Sequence, residues 1–265
     1  EKPVALDVEK ADQMIAAAER FHKRLLVAHN QRFMPTNIRI KELLDGGEIG
    51  RPFLAQGCIL GDELDRMNQE NLWKGTWDKA GGGVLADSGI HYIDIFQYFF
   101  GPVTSVSSCC KKILVKPKQK AEDNVLLNLE FASGVMAQLL FSYSMTEWVW
   151  QETKAIYGTS GSIIVNDNDS QPLKLVKAKK KEQCPDGCIR CLELDEKAVT
   201  IPALPEGMNM WLYSVASTIE TFIQCLRENQ VCPVTPKEAR ANLQVVEAAY
   251  VSARNGVRVS LDTKI

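Results

Sequence analysis

Three consecutive glycines, Gly81-Gly82-Gly83, the last of them four residues before Asp87 and eight before His91, constrain this chain more than any other stretch. A glycine run lets the backbone turn tightly and approach another segment closely. Asp87 then reads as the N-cap of a helix, and Ile90, Ile93, Phe96, Tyr98, Phe99 and Phe100 continue it as a packed apolar face. Residues four apart on a helix share a face, so Asp87 and His91 are expected side by side, with Asp94 further along the same surface. A carboxylate in a first helical turn is favoured by the helix dipole, and it can orient an imidazole and raise its proton affinity. Such a pair suits proton transfer near neutral pH. The same residues also fit a plain N-cap beside a half-buried histidine.

The remaining composition excludes more than it assigns. With 265 residues, 45% hydrophobic and 24% charged, the chain can bury one large core or two smaller ones. A net charge of -2 gives no reason to expect nucleic acid or an anionic membrane as partner. No apolar run of about 20 residues and no signal-type leader is visible, so a cytoplasmic protein is expected. Of eight cysteines, Cys58, Cys109, Cys110, Cys225 and Cys232 fall in or beside apolar segments, where free buried thiols are expected. Cys184, Cys188 and Cys191 have spacings that could hold zinc or an iron-sulfur cluster, but no fourth ligand is evident nearby. An oxidation-prone loop is the other reading of these three, and the expectation is no metal.

Periodicity outlines the elements. Val8, Ala11, Met14, Ile15, Ala18 and Phe21 predict a helix within 5–23, and Leu25 to Ala28 read as a short buried parallel strand. A helix follows from Pro35 to about Leu44, then a strand over 51–60 and a polar loop over 61–80. After the central helix, runs at 103–108, 124–131, 135–143, 153–157 and 162–165 predict a mostly antiparallel meander, with weaker strands at 172–178 and 189–201. Lys177, Lys179, Lys180 and Lys181 read as a solvated hairpin edge. Helices at 211–224 and 236–253 and a strand at 257–261 close the chain.

The pattern Gly-Gly-Gly-x-Leu-x-Asp-x-Gly-x-His-x-x-Asp resembles the Gfo/Idh/MocA family of nucleotide-dependent oxidoreductases. Glu1-Lys2-Pro3, Asn30-Gln31-Arg32-Phe33, Trp73-Lys74, Glu122-Asp123-Asn124, the Tyr157-to-Ser162 turn and the Glu247-to-Ala253 tail agree with it in order. The resemblance implies an α+β fold: a large open, mostly antiparallel sheet with helices on one face, preceded by a remnant of a Rossmann α/β domain. It places residues 1–33 as that remnant and 34–265 as the substrate-binding and catalytic domain. Glu1-Lys2-Pro3 would close the fifth Rossmann strand, with a cis Lys2-Pro3 bond. No Gly-x-Gly-x-x-Gly and no initiating Met occur, so a fragment, or a chain whose cofactor half is supplied elsewhere, is expected.

By the same resemblance, the cofactor is NAD or NADP and the substrate a sugar, cyclitol or related polyhydroxy compound. Lys2, Asp87 and His91 would be catalytic, Lys2 holding the reacting oxygen, His91 taking the proton and Asp87 positioning both. Glu1, Lys2, Pro3, Asn30 and Arg32 would meet the cofactor; Trp73, Lys74, Asp87 and Tyr92 would meet the substrate. Lys74 stands where the family has arginine and loses the planar fork that grips two oxygens. The exposed sheet face would join subunits into a homo-oligomer, with Trp148 and Trp150 at that contact or packed at a sheet corner. The alternative is a non-catalytic oligomerisation or ligand-binding domain that keeps the fold without a nucleotide site.

Overall fold

In the computed structural model, which describes residues 1–70, 72–147, 150–184 and 186–261, nine strands form one open sheet about β1 (Pro52–Leu60). The others are β2 (Val103–Lys111), β3 (Asn124–Phe131), β4 (Met136–Ser142), β5 (Gln151–Gly158), β6 (Gly161–Asn166), β7 (Leu173–Gln183), β8 (Ile189–Ala198) and β9 (Val259–Ser260). Their order is β8-β7-β6-β5-β1-β4-β3-β2-β9. β1 and β4 run parallel; every other neighbouring pair is antiparallel. The expected α+β sheet is therefore present, with one parallel joint at its centre.

Burial alternates along β3 and β4, so one face is packed and the other open. Leu127, Leu139, Phe141 and Ile156 point into the core, whereas Leu126 and Met136 remain about half exposed. The covering helices are α5 (Ile90–Phe100) and α7 (Pro236–Asn255). α5 seats closely because β1 carries Gly57 at the contact: a Cβ there would stand 2.8 Å from the Tyr92 ring and 3.1 Å from that of Phe96. Each fully buried Ile or Phe of this layer contributes about 1.5–3 kcal/mol. α7 begins with a capping box at Thr235 and Glu238.

The N-terminal segment departs from the expected pattern. α1 (Val8–Arg20) and α2 (Pro35–Asp45) form as predicted, but Leu25 to Ala28 join no ladder, and a 3-10 turn follows at Asn30–Phe33. Val27 is instead buried with Val4, Ala11, Ala239 and Leu243 in a small second cluster against α7. An apolar run reports that it is covered, and here a helix covers it. The Lys2–Pro3 bond is cis.

Two loops are also more ordered than the sequence indicated. Residues 61–80 contain the single turns α3 (Leu64–Met67) and α4 (Trp77–Ala80). β7 runs on past the expected 178 to Gln183 and forms a long hairpin with β8, in which Cys191 stands within the expected 189–201 strand and its thiol donates to the Glu193 carbonyl at 3.3 Å. Trp148 lies outside the described residues. Trp150 packs beside Tyr143, ring centres 6.1 Å apart, and donates to Glu152 at 3.1 Å. Among the described residues no helix is long and apolar enough to cross a membrane.

Candidate active site

The sequence predicts that Asp87 caps a helix, and the structure corrects this. The helical path starts at Val84, passes through a π-turn at Leu85–Gly89 and continues as α5, with Asp87 inside the turn and capping nothing. The capping group is Glu122, whose carboxylate accepts from Gly83 N at 2.8 Å, Leu85 N at 3.0 Å and the Tyr250 hydroxyl at 3.0 Å. Gly83 permits it: a Cβ there would fall 1.8 Å from the Glu122 carbonyl oxygen. Burial pushes the Glu122 carboxyl up to about 7, against the pull of those donors. A π-turn is a costly local geometry that recurs where function needs a displaced side chain.

The displaced side chain is Asp87. Lys2 Nζ donates to its Oδ1 at 2.7 Å and its carbonyl oxygen at 2.5 Å; Lys74 Nζ and the Tyr143 hydroxyl donate to Oδ2 at 2.8 and 2.7 Å. Ser88 Oγ donates in turn to the Tyr143 oxygen at 2.5 Å. Burial would raise the Asp87 carboxyl, but the ammonium groups of Lys2 and Lys74 outweigh it and hold the group well below the usual carboxylate range. Two cations, a phenol and an ionised carboxylate thus converge at one wall of a cavity of about 780 Å³. That volume is within the range of small-molecule sites.

His91 lines the same cavity, but without the contact to Asp87 expected from their spacing. The carboxylate is drawn to the two ammonium groups, since charge-assisted bonds are the stronger ones, and His91 Nδ1 is buried with no hydrogen-bond partner. The expected rise in proton affinity is reversed. Burial lowers the imidazole well below its ordinary value of 6.5; Lys2 and His29 push the same way, and Asp87 opposes them more weakly. His91 is therefore neutral at pH 7. Its protonation should begin well below pH 6.5, so the histidine ring resonance of His91 should stay unshifted from pH 8 to 6.5 in an NMR titration. The linked stability has a definite sign: the unfolded chain takes the proton first, so this histidine's contribution is lost as pH falls below 6.5. Over pH 4.5 to 7 Glu122 has the opposite sign, holding its proton in the folded state.

Several nominated residues face elsewhere. Tyr92 is fully buried under β1, its ring stacked on Phe96 and its hydroxyl donating to Thr153 O at 3.3 Å, because adjacent helical residues point about 100° apart. It does not line the cavity. Asp94 and Arg32 form a buried pair, Nε and NH2 donating to the two carboxylate oxygens at 2.8 and 2.7 Å. Arg32 also reaches Glu238 at 2.8 Å, and Asn30 donates to Ser214 at 2.7 Å. Both residues tie α5 and α7 to α6 (Met210–Arg227), the helix beside the 30–33 turn. Trp73 is half exposed over the Lys74 ammonium, outside the cavity wall. Glu1 borders a separate hollow of about 120 Å³ with Lys2 and Asn30.

Sequence reasoning missed part of the cavity lining. Gln31 donates to Glu152 at 3.1 Å, and both line the cavity with Trp150, Tyr143 and Trp211. Gln31 stands between the two residues that were nominated, and a 3-10 turn separates the three side chains. Burial raises the Glu152 carboxyl. Cys184, Cys188 and Cys191 lie away from this site, at the β7–β8 hairpin.

Comparison with known proteins agrees with this architecture. Residues 41–261 match the GFO_IDH_MocA_C family, described as the C-terminal alpha/beta domain of an oxidoreductase family. The chain is 27% identical over 272 residues to a scyllo-inositol 2-dehydrogenase (NAD(+)) of Bacillus subtilis (strain 168), covering 100% of this chain and 70% of that protein. It is 29% identical over 165 residues to oxidoreductase P35 of Formosa agariphila, covering 62% of this chain and 50% of that one. A solved levoglucosan dehydrogenase in complex with NADH and L-sorbose superposes with a TM-score of 0.84 at 21% identity, over 98% of this chain and 72% of the other. With the family match spanning most of its length, the chain belongs to the Gfo/Idh/MocA oxidoreductases, of which residues 41–261 form the C-terminal alpha/beta domain.

Proposed function

We propose that this chain is the substrate-binding and catalytic part of an NAD(P)-dependent dehydrogenase acting on a sugar, cyclitol or related polyhydroxy compound. The observation that carries the reading is the convergence of Lys2, Lys74 and Tyr143 on ionised Asp87, beside a neutral His91 with an orphaned nitrogen, in one cavity. Family membership and the scyllo-inositol dehydrogenase relative support the substrate class.

Oxidising a secondary alcohol needs a base for the hydroxyl proton, a cation near the developing alkoxide and exclusion of water. Neutral His91 takes the proton. The Lys2 ammonium, fixed by Asp87, stabilises the alkoxide, while Lys74 and Tyr143 keep Asp87 ionised and aimed. Gln31 and Glu152, elsewhere in the lining, donate hydrogen bonds to and accept them from further substrate hydroxyls. The nicotinamide end of a nucleotide fits beside Lys2 and His91, which both line the cavity and of which His91 keeps a ring nitrogen without a hydrogen-bond partner. When bound, the nucleotide supplies the hydride acceptor. For the pyrophosphate end no Gly-x-Gly-x-x-Gly stands in the sequence, so in this reading the diphosphate is held outside these 265 residues and residues 1–33 border that unit. The open sheet face bearing Leu126 and Met136 is the proposed contact between copies.

The test is reduction of NAD or NADP by scyllo-inositol, levoglucosan and D-apiose, in a protein that joins this chain to a nucleotide-binding unit, with NADH fluorescence read on both forms. Turnover with any of them, and nucleotide binding only in the joined form, is expected. No nucleotide binding by either form would leave the ligand-binding or assembly role.

A further inference from the structure

The Cys184-to-Cys191 segment is absorbed by nothing in the proposed reaction. At the tip of the β7–β8 hairpin, the Cys184 and Cys188 sulfurs and an Asp186 carboxylate oxygen lie within 4.8 Å of one another. Cys191, which the spacing grouped with the other two, is turned to the Glu193 carbonyl, and Asp186 stands in its place. The tip is built to hold this arrangement. Cys184 N donates to Cys188 O at 2.8 Å, Gly187 N to Cys184 O at 2.9 Å, and Cys188 N to Asp186 Oδ1 at 3.1 Å. Gly187 adopts a φ of 85°, a conformation that glycine takes without strain.

We propose that Cys184, Asp186 and Cys188 form a surface site for a thiophilic divalent cation, zinc in the first instance, with water completing the tetrahedron. An ion with about 2.3 Å bonds to sulfur needs its ligands about 3.8 Å apart, so the donors close by small side-chain rotations. Two thiolates select against magnesium and calcium, and the carboxylate adds a third ligand compatible with zinc. Deprotonated, the set carries three negative charges, of which the ion cancels two. Binding must release both thiol protons, because the thiolate and not the thiol is the ligand.

The test is titration of the whole chain with Cd²⁺, a spectroscopic surrogate for zinc, under a non-chelating reductant, following the ultraviolet thiolate-to-metal charge-transfer band. One equivalent with two-thiolate intensity, displaced by Zn²⁺, is expected. Cys184→Ser with Cys188→Ser should abolish it, Asp186→Asn should weaken it by at least tenfold, and Cys191→Ser should leave it unchanged. All four positions sit on an exposed or half-exposed hairpin, so circular dichroism should not change. Survival of the band in the double variant would assign the metal to other thiols, such as Cys225 and Cys232, and overturn the proposal. Loss of binding in Cys191→Ser, or none in Asp186→Asn, would overturn the donor set.

Discussion

Replacing Lys2 with Met should lower turnover of the assembled enzyme by about 10³-fold while changing KM by less than tenfold. The lysine is bound to Asp87 twice over, through Oδ1 at 2.7 Å and the carbonyl oxygen at 2.5 Å, so its ammonium is fixed before substrate arrives. A fixed charge acts most where charge develops, on the alkoxide and not on the neutral alcohol, which is why kcat carries the loss. A second readout separates this role from a structural one. Lys2 is among the groups that depress the His91 imidazole, so its removal should raise the His91 protonation midpoint and move the acid limb of the rate profile to higher pH. Lys2→Arg should keep the charge yet recover only part of the rate, because a planar fork cannot reproduce both bonds of a compact ammonium. Turnover within twofold of the parent, with His91 unmoved, would remove Lys2 from the mechanism.

How legible this site was follows from where its partners lie in the chain. Asp87, His91 and Lys74 could be nominated because local spacing and family motifs mark them, and all three line the cavity. The fold class was legible for a similar reason: period-two burial in β3 and β4 and the apolar face of α5 are properties of short windows. What sequence could not give was the choice each side chain makes among distant partners. Asp87 lies four residues from His91 but pairs with Lys2, 85 positions away. The Gly83 and Leu85 amides are satisfied by Glu122, 39 and 37 positions away, and those bonds start the helix earlier than any local cap signal would. Gln31 and Glu152 meet across 121 positions, and neither carries a signal by itself. Trp73 and Tyr92 show the converse, since motif position brought them to the right element but the orientation of the backbone turned them away from the cavity.

The largest loss of stability should come from Arg32→Met: about 3–5 kcal/mol, or a fall in midpoint of about 10 °C for a chain of this size. Asp94 is fully buried, with Arg32 donating to both oxygens and Asn242 adding one bond at 2.7 Å. Deleting the guanidinium leaves a carboxylate in the core with a single neutral donor, and the cost lies in that uncompensated charge and not in the lost attraction alone. Three comparisons test this by urea denaturation. Glu238→Gln, whose side chain is 42% exposed, removes Arg32's second carboxylate at the surface and should cost less than about 1 kcal/mol. Arg32→Met combined with Asp94→Leu removes both charges and should recover at least half of the single variant's loss, because two apolar side chains tolerate the site better than one orphaned ion. Asp94→Leu alone should resemble Arg32→Met, since it strands the guanidinium between Glu238, Pro233 and the Tyr98 ring. Purely additive costs would mean that the two groups are stabilised independently and that the tie from the 30–33 turn to α5 is not the element holding the N-terminal segment, and with it Lys2, against the cavity.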